Sequence, residues 1–129
     1  MFGKKRGNAT IDSLIGSGTL IEGDVRFRGG LRIDGEVRGS VHADGDGGVL
    51  VLSEHGRIEG EVRAATLLIN GEVVGPVIAD ELVELQPKAR VRGQIRYRAM
   101  EIHQGALVEG GLAHLEDERP GLKLAASNE

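Results

Sequence analysis

Four histidines and a dense mix of carboxylates and arginines are the residues of this chain with chemistry to offer. The histidines are His42, His55, His103 and His114. A metal site needs ligands that a helix or hairpin brings to one face, and no two of these histidines stand at such a spacing. His42 lies in His-Ala-Asp-Gly and His55 precedes Gly56 at an expected corner, so each reads as a solvated surface side chain. The many carboxylates alternate with arginines, which suits charge ladders better than a catalytic acid/base pair. The stretch Gly45-Asp-Gly-Gly48 leads into no helix, so it reads as a turn and not a phosphate cradle. The chain has no cysteine, which excludes disulfides and thiolate metal sites. The expectation is no catalytic residue, no metal and no cofactor.

One cluster could bind a partner. Arg90, Arg92, Arg96 and Arg98 surround Tyr97. Outward arginines stacked over other coils would form a basic stripe. The competing reading is a structural ladder, because Glu59, Glu61, Glu101 and Glu109 are expected neighbours and opposite charges across strands attract. The net charge of −4 argues against a general nucleic-acid binder.

The elements that hold these side chains follow from a repeated phrase, I-x-G-x-V and its variants. It occurs at Ile21–Val25, Ile33–Val37, Ile58–Val62, Ile69–Val73, Val91–Ile95 and Val108–Leu112. Apolar residues two apart with charged residues between them are a strand signal. A helix would lose about 1 kcal/mol at every glycine. With aromatics at only 2%, the core must be thin and built from Val, Ile and Leu, which favours an elongated repeat over a compact ball. The central glycines are Gly23, Gly35, Gly60, Gly71, Gly93 and Gly110. Their steps fit multiples of about six residues, so one coil of three short strands takes about 17 residues. Residues 14–112 then hold nearly six coils of an all-β, three-sided (triangular) β-solenoid. The phrase's glycine is expected inside, where the interior is narrow, and at a bend. Further glycines at Gly39 and Gly75, four residues on, blur this register. The apolar runs Val49–Leu52, Thr66–Ile69 and Leu82–Leu85 supply the remaining bulk.

A solenoid has two open ends, and most are capped by a helix or a polar segment. No convincing cap is visible. The expected polymer interface is therefore Leu14, Ile15 and Leu20 at one end and Leu107, Val108 and Leu112 at the other. Uncapped strand edges template pairing with another copy.

The chain resembles the bactofilins, the bacterial polymer-forming cytoskeletal proteins. The resemblance rests on TIDSLIGSGTLIEG (residues 10–23), on LRIDGEVRG (residues 31–39) and on the short Met-Phe-basic start. It implies a right-handed β-helix that assembles end to end into nucleotide-free filaments attached to the inner membrane by the N-terminal tail. The segments are then a flexible membrane-targeting tail (1–13), the β-helix domain (14–112) and a flexible C-terminal tail (113–129). Met1, Phe2, Lys4, Lys5 and Arg6 would meet anionic lipids, each basic residue contributing about 1 kcal/mol. No apolar run approaches the roughly 18 residues of a membrane span, and no signal-peptide stretch is evident. A cytoplasmic chain on the inner face of the membrane is the expectation. Its partners are further copies of itself, anionic lipids and recruited envelope or cytoskeletal proteins, with nucleic acid disfavoured. The rival functions are a monomeric adaptor solenoid and a β-helix enzyme such as an acyltransferase.

Overall fold

The computed structural model describes residues 10–115. Within them the chain is all strand and turn, with no helix. The strands pair in parallel and stack into a solenoid of six coils. Three ladders run along it.

Ladder A joins β1 (Ser13–Ile15), β4 (Gly30–Ile33), β7 (Val49–Leu52), the second half of β9 (Val62–Ile69), the second half of β11 (Val77–Leu85) and β14 (Met100–Ile102). Ladder B joins β2 (Leu20–Glu22), β5 (Glu36–Arg38), β8 (Arg57–Glu59), β10 (Glu72–Val74), β12 (Arg90–Arg92) and β15 (Leu107–Glu109). Ladder C joins β3 (Val25–Phe27), β6 (Val41–Ala43), the first halves of β9 and β11, β13 (Ile95–Tyr97) and β16 (Leu112–His114). The strands thus begin at Ser13 and end at His114, slightly outside the expected 14–112, because Leu112–His114 closes the last coil on β13.

Each ladder carries its apolar residues inward at every second position. Ile33, Leu52, Ile69 and Leu85 stack in ladder A. Val37, Ile58, Val73 and Val91 stack in ladder B. Val41, Val62, Val77 and Ile95 stack in ladder C. All twelve are essentially inaccessible to solvent, and no polar side chain is buried with them among the described residues. The expected bulky runs all fall on ladder A. They supply Leu50, Leu67 and Val83 as a second inward row.

The glycine phrase needs one correction. The corner between ladders B and C is a column of Gly23, Gly39, Gly60, Gly75, Gly93 and Gly110, all with positive φ. A Cβ on Gly60 would run into the carbonyl oxygen of Gly39 in the coil before it, and the same holds along the column from Gly39 onward. Only glycine tolerates both the left-handed backbone and that approach. Gly35 and Gly71 stand at a different corner, between ladders A and B, with no positive φ. The phrase therefore serves two corners. Gly39 and Gly75, which blurred the sequence register, are the true members of the column. Gly35 and Gly71 are buried at their corner, as the narrow interior implied, whereas the column glycines are bends open to solvent in part or in full.

Polar side chains join the corners of successive coils. Carboxylates of Asp12 and Asp24 accept from the backbone N–H groups of Gly30 and Ser40, and the Asn70 amide oxygen accepts from Lys88 N–H. Corner N–H groups that ladder pairing leaves free are satisfied in this way.

Candidate assembly surfaces

The candidate surfaces are the two ends and the outward sides of the three ladders. At the ends the pairing stops. Among the described residues, β1, β2 and β3 each pair on one side only, and so do β14, β15 and β16. Their other edges present unpaired N–H and C=O groups. The exposed large apolar residues Ile11, Leu14, Leu20, Ile102, Leu107 and Leu112 all belong to the first and last coils.

The six residues expected at the polymer interface divide into two sets. Ile15, Val108 and Leu112 continue the inward rows of ladders A, B and C, and so sit at the mouths of the core. Leu14, Leu20 and Leu107 occupy outward positions on the side faces of the end coils. Ile15 is already buried, while Leu112 is 50% exposed. Sequence reading missed Ile102, which continues the inward row of ladder A above Leu85 and is as open as Leu112. Met100–Ile102 lacks the glycine phrase, but its period-two apolar pair was a usable signal.

Ladder B carries the charge ladder that the alternation implied. One outward column reads Glu36, Arg57, Glu72, Arg90 from coil to coil. Arg57 sits at its centre, with Nε 3.2 Å from Glu72 and a terminal nitrogen 3.2 Å from Glu36 and also against Glu59. The hydrogen bond from Arg57 holds the Glu59 carboxyl below its ordinary value, and Glu59 in turn raises Arg57. Arg38 is 3.2 Å from Glu36 and 3.6 Å from Glu22. At the A–B corner nearby Ser53 and the Arg32 guanidinium, 3.0 Å away, hold the Asp34 carboxyl below its ordinary value.

The four candidate arginines split over two faces. Arg90 and Arg92 lie on ladder B, and Arg96 and Arg98 lie on or after β13 of ladder C. Arg92 pairs with Glu109 at 3.5 Å, the neighbour the register implied. Arg98 donates from Nε to the Asp80 carbonyl at 3.0 Å. Neither Arg90 nor Arg96 has an ion pair among the described residues, and both are exposed. Tyr97 packs edge-on against His114, ring centroids 5.6 Å apart. Met1, Phe2, Lys4, Lys5 and Arg6 lie outside the described residues.

Of the histidines, half-exposed His42 approaches Glu61 at 3.4 Å and exposed His55 approaches Glu54 at 3.6 Å. Glu84, Glu101 and His103 bring their ligand atoms within 4.8 Å of one another, the grouping among the described residues that could hold a metal ion. His103 Nε2 is already 2.7 Å from Glu84, which reads as a hydrogen-bonded surface cluster.

The match to known proteins follows the solenoid closely. The family model described as "Bactofilin: Polymer-forming cytoskeletal" matches residues 13–113. The chain belongs to the bactofilin family. It is 28% identical to bactofilin BacO of Myxococcus xanthus over 109 residues, 84% of each chain. Its structure is similar to that of the Thermus thermophilus bactofilin in double helical filaments, with a TM-score of 0.74 and 40% identity, over 80% of this chain and 99% of that one. It is also similar to cytoskeletal bactofilin BacA, with a TM-score of 0.70 and 32% identity, over 81% of this chain and 96% of that one. Family membership makes this a polymer-forming cytoskeletal chain.

Proposed function

We propose that the chain is a cytoskeletal subunit that stacks end to end into filaments without a nucleotide. The filaments lie on the inner face of the cytoplasmic membrane and scaffold cell shape or the placement of other proteins. The observation that carries this reading is the open core at the last coil. Leu112 and Ile102 are 50% exposed, whereas Ile95 and Leu85, one coil before them, are at 0%. A second copy at that mouth would cover both side chains and pair the free strand edges. Covering half of each side chain contributes about 1 kcal/mol per residue. Three ladders per coil support the triangular form that the family resemblance implies; the right hand rests on that resemblance alone. The exposed Arg90 and Arg96 suit an acidic segment of a recruited protein.

Negative-stain microscopy of the purified chain, without ATP or GTP, should show long thin filaments. Only small globular particles would sink the polymer reading.

Attachment rests on the basic start of the chain. Three basic residues and Phe2 give one chain a weak hold on an anionic leaflet, with burial of the ring worth roughly 1.5–3 kcal/mol. A filament presents many such tails in a row, so each further contact is intramolecular. Polymer should therefore pellet with anionic vesicles while monomer stays in solution. Deleting residues 2–6, or Phe2→Ala, should release it. Undiminished pelleting of the truncated polymer would remove the tail from the membrane contact.

A further inference from the structure

The outward side of ladder A differs from the other two faces. Its central column reads Leu14, Arg32, Val51, Leu68, Glu84, Glu101 from the first coil to the last. The charges are segregated: positive toward one end, negative toward the other, with apolar residues between. Val49 and Leu82 widen the apolar centre in the neighbouring column, with Thr66 between them. Ladder B, by contrast, alternates sign at nearly every coil, which is the arrangement that suits a face meeting water alone. Ladder A even sets Glu84 directly opposite Glu101, a juxtaposition that costs stability and that His103 relieves only at Glu84.

We propose that this face docks laterally on the same face of a second copy, with the two solenoids antiparallel. A two-fold axis along the strands, between coils 3 and 4, exchanges coil 2 with coil 5 and coil 3 with coil 4. Val51 then meets Leu68 twice, and Arg32 of each copy meets Glu84 of the other. The contact is self-complementary, as a two-fold interface must be. A parallel arrangement would instead set Arg32 on Arg32 and Glu84 on Glu84. The charges are available for this. Arg32 contacts Asp34 through Nε, leaving its terminal nitrogens without a hydrogen bond among the described residues. Glu84 engages His103 through one carboxylate oxygen, leaving the other. An anionic membrane is a poor occupant for a face that ends in two glutamates.

The patch is small. Four coils at about 4.8 Å and strands of about 13 Å give on the order of 250 Å² per copy. A stable pair needs about 800 Å² per partner. Two free subunits therefore stay apart, whereas two filaments repeat the contact along their length and hold by avidity. The inference rests on the filament reading and adds the face, the direction and the contacts by which filaments pair.

The test is a charge swap read by microscopy and by mass per unit length. The unsubstituted chain should give paired filaments. Arg32→Glu alone and Glu84→Arg alone should each give single filaments, with mass per length falling twofold. The double variant Arg32→Glu/Glu84→Arg should restore pairs. Leu68→Lys should also give single filaments. Filament formation in each case reports that the variant folds. Single filaments from the unsubstituted chain, or pairs that survive both single reversals, would overturn the proposal. Absence of any filament would instead strike at end-to-end assembly.

Discussion

Coil 3 and coil 6 place the glycine phrase at the same corner and on the same ladders. In coil 3, Ile58 and Val62 flank Gly60 and are wholly buried. In coil 6, Val108 and Leu112 flank Gly110, and Leu112 is half exposed. The local conformation is shared, since Gly60 and Gly110 both have φ of 151°. What differs is the number of neighbours. Coil 3 pairs on both sides, and coil 6 pairs on one. A residue in the phrase therefore has two roles set by position alone. In the middle it holds the chain folded, and at the end, on the filament reading proposed above, it offers the same contact to another copy.

The sharpest way to break that equivalence is to place charge at the two positions in turn. Val62→Asp buries a carboxylate with no partner, a cost of several kcal/mol, and should leave the chain unfolded by circular dichroism. Leu112→Arg sits three coils further along the same ladder, where solvent reaches it. It should leave a folded chain that sediments as a monomer, because the charge would be buried only in a filament. Unfolding by Leu112→Arg, or filaments that tolerate it, would mean that the end coil is not the assembly surface.

A subtler pair separates backbone conformation from coil stacking. Gly60 and Gly23 belong to one column, and both have positive φ. A Cβ on Gly60 collides with Gly39, whereas a Cβ on Gly23 in the first coil meets nothing within 4 Å. Gly23→Ala should cost only the left-handed strain, about 1–2 kcal/mol. Gly60→Ala should add an overpacking cost of about 1–3 kcal/mol. Equilibrium denaturation of assembly-blocked chains (both in the Leu112→Arg background) measures the two. Equal losses would remove the stacking contact from the account.

These pairs also mark how far the sequence could be read. Period-two alternation revealed strands, a coil of about 17 residues and the inward rows, because a thin core repeats one local rule. Val108 and Leu112 were legible as end residues for the same reason. The role of each glycine was not. Gly35 and Gly39 both sit in an apolar-x-Gly-x-Val frame, and only the φ angle and the carbonyl of the previous coil tell the two corners apart. The ladder A column was hidden for a related reason. Arg32, Val51, Leu68 and Glu84 are brought together by strand register across unequal coils, the longest of which contains the 44–48 loop. No fixed spacing in the chain announces them.

The smallest effects belong to the outward side of ladder B, where the comparison predicts that middle and end coils behave alike. Glu61 follows this ladder at the corner, and Glu61→Ala should change stability by less than about 0.5 kcal/mol. Beside it, Glu59 titrates below its ordinary value of 4.5 because Arg57 donates to it in the folded chain. A depressed carboxylate contributes stability that is fully present above its unfolded value and is lost as pH falls through the folded value. The Arg57 guanidinium, raised further by its hydrogen bond to Glu59, stays charged throughout. Melting curves should therefore be insensitive to this pair between pH 7 and about 5, and should fall as pH drops below the ordinary glutamate range. Other carboxylates add to that slope, so the pair is isolated by Glu59→Gln. The variant should melt only slightly lower at pH 7 and lose less than the parent chain on acidification below the ordinary glutamate range, because it has no carboxylate at this position to protonate. Identical acid slopes for the two chains would show that the ion pair is decorative. A large loss at pH 7 would show instead that the outward ladder holds the coils together, and that the inward rows are not the sole source of stability.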